Sequence, residues 1–312
     1  MTPSTVRHTL RCATLVAAAC LSACGGNSES DTPQNTVGSE TAQSVSANTL
    51  VLGPDTVNAN VAVLRTAQAV VASASGQVTA TVACAGGGTA HFSVSGSGVS
   101  LLNGMLDAGE RYSMLFDNCR VSAGAETLSG LMSIDVISAS ANEMTLQTST
   151  QGIVVTRPQR TLTLNGSSTI SQSTVTNGTT VTTTNRWVSP QIALTSLHNA
   201  NLSSLSFSNV DLTTTSTTVN SVLTGSTSSG TLTITVAWPG NSWSATIATQ
   251  GTASYDVNGV ATQGSWLMTL PHDRIGLTVA AGLATVVLDN GANGSIEHTF
   301  FFSVLALIAA AA

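Results

Sequence analysis

The sequence predicts an all-β protein: an antiparallel meander, a curved sheet or barrel-like, led by one N-terminal helix. Three observations carry that expectation. From Gln77 onward apolar residues alternate with Thr and Ser, the period-two signature of strands with one wet face. Turn residues recur between short alternating runs, which joins neighbouring strands antiparallel. And 42% of the 312 residues are hydrophobic while 8% are charged, a composition able to bury a core rather than one that stays disordered.

At the N-terminus, Arg7, His8 and Arg11 precede or border an apolar tract over 12–21. That is the n-region and h-region of a secretory signal peptide, and ten residues are too few to cross a hydrocarbon core of roughly 30 Å. Leu21-Ser22-Ala23-Cys24 follows and resembles the lipobox of bacterial lipoproteins. The resemblance implies cleavage before Cys24 and lipid on that cysteine, with several acyl chains giving a durable anchor at about 0.8 kcal/mol per buried CH₂. Gly25 stands where lipoproteins retained at the inner membrane usually carry Asp, so the same resemblance implies sorting to the outer membrane, on a face left open. Residues 1–23 are therefore read as a leader and 49–312 as one β-rich module. Between them, 24–48 is read as a flexible linker rich in Gly, Ser, Asn and acids.

Gly53-Pro54-Asp55 suits a helix start and Gly76 a stop. Val57, Val61, Leu64, Ala67 and Val71 form one apolar stripe between them, which predicts a helix near 55–73. Val78, Ala80, Val82 and Cys84 then open the alternating pattern. Asn177-Gly178 and Asn258-Gly259 each separate two strand-like runs and predict type I′ hairpins. Pro239-Gly240-Asn241, Pro271-His272-Asp273 and the run from Asp289 to Gly294 mark further turns. A Leu-x-Gly recurrence at Leu102, Leu128, Leu164 and Leu223 has no fixed period and reads as reused strand-turn chemistry. The apolar tail is expected to form a closing, largely buried strand through Phe300, Phe302, Val304 and Leu307. An integral outer-membrane barrel is the rival architecture, disfavoured by the terminal alanines and by the redundancy of a lipid anchor.

Cys12 and Cys20 leave with the leader and Cys24 is taken by lipid, so Cys84 and Cys119 remain. A pair of cysteines in an exported chain is read as a disulfide. The surrounding motifs are Cys84-Ala85-Gly86-Gly87, Asp107-Ala108-Gly109-Glu110, Phe116-Asp117-Asn118-Cys119 and Leu128-Ser129-Gly130. Over about 80–130 they resemble a group of uncharacterised proteobacterial lipoproteins and exported proteins. That resemblance implies a disulfide-clasped β-hairpin at the head of the module, and no known activity. Some relatives carry Asp/Asn-rich turns suited to calcium. Here the segment between the cysteines has one Asp and one Glu before Phe116, too few carboxylates for such a site.

The chain has no lysine and a formal charge of −6, so a nucleic-acid partner, a P-loop and Schiff-base chemistry are not expected. No Gly-x-Ser-x-Gly elbow and no tight His/Cys/acid cluster is present, so no catalytic residue, metal or cofactor is expected. His91, His198, His272 and His298 read as strand or turn residues. Asp107, Glu110 and Asp117 read as solvated surface, and Trp187, Trp238, Trp243 and Trp266 as core or cross-strand packing. The expectation is an outer-membrane-anchored lipoprotein, non-enzymatic, acting by interaction or as structure. Its alternatives are a carrier of a lipid or other apolar ligand in a helix-covered cavity, and an unrecognised hydrolase.

Overall fold

In the computed structural model, residues 37–96, 103–157, 160–198, 201–237 and 242–311 are described. The leader, Cys24, Trp238 and the turn at 239–241 lie outside them.

Among the described residues one helix, α1 (Ser39–Ser73), is followed by fifteen strands and a short closing helix. The strands are β1 (Thr79–Ala83), β2 (Thr89–Gly96), β3 (Glu110–Cys119), β4 (Thr127–Ala139), β5 (Glu143–Thr156), β6 (Arg160–Asn177), β7 (Thr180–His198) and β8 (Asn201–Val219). Then come β9 (Val222–Ala237), β10 (Trp243–Thr249), β11 (Ala253–Tyr255), β12 (Ala261–Thr269), β13 (Asp273–Ala280), β14 (Leu283–Asn290), β15 (His298–Ser303) and α2 (Val304–Ala309). Each strand pairs antiparallel with the next, except that β10 pairs β12 while the three-residue β11 bridges β12 and β9. The expected meander is what forms.

Alternation places the core. In β13 the inward Ile275, Leu277 and Val279 are buried while Arg274 and Thr278 face outward or sideways, and β14 repeats this with Ala284, Val286 and Leu288. These inward residues share one apolar core with α1.

The helix departs from expectation by starting at Ser39, so the last ten residues of the expected linker are helical and Pro54 lies inside the helix. Pro54 forfeits one backbone hydrogen bond. Burial of the preceding turns offsets it: residues 45–50 are all at most 5% exposed, so every side of the helix is enclosed there. The enclosing partners include α2, whose Val304 and Leu307 are buried. Linker-like composition conceals this. Ala, Ser, Asn and Thr are small enough to let sheet and helix approach, and the polar ones spend their hydrogen bonds on the helix itself. Thr49 Oγ1 donates to the Val45 carbonyl at 2.8 Å, Thr56 Oγ1 to Leu52 at 2.7 Å, and Asn60 Nδ2 to Thr56 at 2.9 Å.

The Leu-x-Gly recurrence lies mostly within strands rather than at turns. Gly130 stands at a register shift between β4 and β5 with φ +113°, and a Cβ there would sit 2.2 Å from the Gly152 carbonyl oxygen. Gly166, at φ +147°, occupies the corresponding shift between β6 and β7. Bulges bend and twist a sheet, and these let it curve around α1.

Both hairpins form where expected, with different turns. Asn177 is the last paired residue of β6, opposite Thr180, and Gly178 alone has positive φ, the pattern of a type II′ turn. At Asn258-Gly259 the Asp256 carboxylate organises the turn by accepting the Asn258 and Val260 N–H groups at 2.9 Å, with only Gly259 left-handed. The apolar tail gives up its strand at Ser303, whose Oγ accepts the Ala306 N–H at 3.1 Å and caps α2.

Candidate functional site

Beyond residue 53 the helix is no longer enclosed. Asp55, Asn58, Val61, Arg65, Gln68 and Ala72 are accessible there, three or four apart, and so form one wet stripe. Opposite that stripe stand the far halves of β6 to β9. These strands run 16 to 19 residues, against 7 to 9 for β10, β12, β13 and β14, and they project past the apolar core. Their projecting halves are built of Thr and Ser, which favour strands through β-branching or tolerate them without needing burial.

Between stripe and wall lies a cleft of about 620 Å³, bounded by Asp55, Asn58 and Arg65 on the helix and by Thr214, Ser216 and Ser228 on the sheet. A second cleft of about 350 Å³ continues along the same stripe past Gln68 and Ala72, under Gln172 and Thr174 of β6. The two adjoin where Gln172 Nε2 donates to Asn185 Oδ1 at 2.9 Å, one residue in each lining. The two clefts follow one another as a groove along the helix stripe from Pro54 to Ala72, which at about 1.5 Å per helical residue spans about 27 Å, with the Gln172–Asn185 bond between them.

At one end of the groove the helix is clamped to the sheet by ions. Asp55 accepts from Arg157 at 3.3 Å and from Arg160 at 3.0 Å, and Arg157 also reaches Glu126 at 3.4 Å. Arg160 is 7% exposed; burial pulls its pKa down and the Asp55 carboxylate opposes that. Arg157 Nε is buried without a hydrogen-bond partner. Arg65 is exposed and in no ion pair among the described residues. The Tyr255 ring closes the wall; burial alone pushes its phenol pKa up, so it stays neutral. Asp256 beside it is held below the usual carboxylate range, first by the Val260 N–H, and is committed to its turn.

The residues that the sequence marks as candidates fall elsewhere. Cys84 and Cys119 form the disulfide, with Cα atoms 5.4 Å apart, clasping β1 to β3 through β2. His91 meets the Thr81 hydroxyl at 2.7 Å across β1 and β2, His272 is an exposed turn residue, and His298 stacks on Phe300 at 6.0 Å. Trp187, Trp243 and Trp266 are buried in the core. Glu110, expected in solvent, and Asp273, expected in a turn, are both buried. Glu110, 3% exposed, accepts the Tyr112 hydroxyl and the Asp107 N–H, and one of its oxygens has no partner. Asp273, 2% exposed, accepts the N–H groups of Val37 and Gly291, both at 3.0 Å, tying the entry to α1 to the far end of the sheet.

Sequence reasoning assigns no binding role to any charged residue of the groove. The available signal is Arg157-Pro158-Gln159-Arg160, two of the nine cations of the chain within four residues. No family model matches the chain, and neither a curated protein nor a solved structure is significantly similar to it.

Proposed function

We propose that this chain is an exported lipoprotein, cut before Cys24 and anchored in the outer membrane by lipid on that cysteine, whose β module binds a partner without transforming it. The order of basic segment, apolar tract, lipobox and Gly25 supports the anchor. The Cys84–Cys119 disulfide suits an oxidising compartment, and the resemblance over about 80–130 points the same way. The outward faces of β8 to β10 carry hydroxyls in contact, such as Thr233 with Thr246 at 3.1 Å and Thr235 with Ser244 at 2.9 Å. Such a surface belongs in water, not in hydrocarbon.

The observation that carries the binding reading is the groove. It is preformed and polar, and its acid near the floor, Asp55, is held by Arg157 and Arg160 rather than beside a histidine or a nucleophile. A carrier of apolar ligands would need a void beside the helix, whereas Leu50 and Leu64 of the helix belong with Phe207 to one cluster of buried apolar side chains.

The test is made in cells. Mass spectrometry of the wild-type N-terminal peptide is expected to show an acylated Cys24, with the protein in the outer-membrane fraction. Cys24→Ser is expected to abolish acylation and release the protein into the soluble envelope fraction. A Cys24→Ser form that stays membrane-bound would overturn the anchor.

A further inference from the structure

We propose that the groove along α1 holds an extended saccharide chain, with Arg65 taking a carboxylate carried by one of its sugars. The inference rests on the binding reading above and names the ligand class.

Shape comes first. Two successive clefts along a helix stripe of about 27 Å, both open to solvent, suit a polymer lying along the helix rather than a compact metabolite. Its chemistry then separates the polymers. The wall presents hydroxyls from Thr214, Ser216, Ser226 and Ser228, and amides come from Asn185 and Asn58. Each hydroxyl donates one hydrogen bond and accepts up to two, and each amide does both. Saccharide hydroxyls have the same dual character, so such a lining satisfies them at any rotation. An acyl chain would leave those groups desolvated and unpaired, at roughly 1–3 kcal/mol each.

A peptide strand is recognised by main-chain pairing at a sheet edge. Here the wall is a sheet face, and the stretches of β8 and β9 that carry Thr214, Ser216, Ser226 and Ser228 are each paired on both sides, so those stretches offer no ladder. A polyphosphate needs clustered cations. The chain has no lysine, and Arg157 and Arg160 are committed to Asp55. Arg65 is different: an exposed guanidinium on the floor of a hydroxyl-lined cleft, in no ion pair among the described residues. Its planar fork matches a carboxylate with two parallel hydrogen bonds. Asp256 and Glu126, the other acids at the cleft, are engaged by the Val260 N–H and by Arg157.

The experiment is calorimetric titration of the purified full chain in detergent with four probes: hexagalacturonate, maltohexaose, stearate and a Ser/Thr-rich dodecapeptide. Hexagalacturonate is expected to bind most tightly. Ser216→Trp, which fills the groove from the wall, is expected to weaken it at least tenfold, and Ser228→Trp gives a second obstruction should the first misfold. Arg65→Ala is expected to weaken hexagalacturonate about tenfold and leave maltohexaose unchanged. Thr215→Trp, on the opposite face of β8, is expected to change neither. Circular dichroism checks that each variant keeps its strands. Heat from neither saccharide, saccharide binding that survives both tryptophans, or preference for stearate or the peptide would overturn the proposal. Equal loss of both saccharides on Arg65→Ala would remove the carboxylate. None of these outcomes bears on acylation of Cys24, so the anchor and the ligand class fail separately.

Discussion

The four longest strands each have two halves that behave differently. In the near half of β8, Leu205, Phe207 and Leu212 are buried and alternate with accessible Ser204, Ser206 and Ser208; in the far half, all of 213–219 are only half-buried. β9 repeats the contrast, with Leu232, Ile234 and Val236 in the core and 225–229 half-buried. The backbone ladder runs unbroken in kind through both halves, apart from local bulges. Strand formation and core formation are therefore separable. β-branched residues and cross-strand partners suffice for the first, whereas the second needs apolar residues on one face and something to bury them against. Where only the first condition holds, the sheet keeps one face free of packing, and there it forms the groove wall.

That comparison can be broken or sharpened by measurement. Phe207 is fully buried and meets Trp187 edge-on at 6.5 Å, so Phe207→Ala is expected to lower the urea-unfolding free energy by about 3–5 kcal/mol. Removing the clasp with Cys84→Ser and Cys119→Ser together, at a sequence separation of 35, is expected to cost about 3–4 kcal/mol through the entropy of the unfolded chain. A larger loss would mean that the first strands depend on the disulfide for their packing.

Asp55→Asn leaves two guanidinium groups, one of them 7% exposed, without their shared carboxylate. Discounted for the 29% exposure of Asp55, the expected loss is about 2–3 kcal/mol. Adding Arg157→Met and Arg160→Met to Asp55→Asn is expected to recover part of it, and no recovery would show that the ions do not hold helix to sheet.

Asp256 contributes less, and in a pH-dependent way. Its carboxylate lies below the usual range because the Val260 N–H above all, and that of Asn258, donate to it. The folded value is depressed, so the contribution is complete above the unfolded value of about 3.9 and is lost as pH falls through the folded one. Asp256→Asn is expected to flatten the fall in urea midpoint between about pH 5 and pH 2, by an amount under about 1 kcal/mol. Smallest of all, Thr215→Ala removes a hydroxyl contact of 3.1 Å with Thr184 and is expected to change stability by less than about 0.5 kcal/mol. A loss approaching that of Phe207→Ala would erase the distinction between the halves.

Much of the fold is legible in the residues. Alternation in β12 to β14 announces both strand and buried face, and the hairpin positions follow from Asn177-Gly178 and Asn258-Gly259. The start of α1 is not legible, because Ala42, Ser46 and Asn48 carry no apolar stripe and are buried by what surrounds them. The burial of Glu110 and Asp273 is hidden for a related reason: a carboxylate is assigned to water by its type, and only packed neighbours supply the N–H and O–H donors that hold it inside.

The sequence by itself determined that this chain is a strand-rich meander, which two cysteines pair, and which chemistries its composition makes improbable. Those properties follow from side-chain period, residue type and count, all local. Only the tertiary structure decided that residues 45–50 of the helix are enclosed on every side, that Asp55 meets Arg157 and Arg160 about a hundred residues away, and that the hydroxyl-rich strand ends face the helix across a groove. Those relations depend on where a bulged sheet brings distant segments together, and curvature of that kind is a sum over many strands that no short window of residues contains.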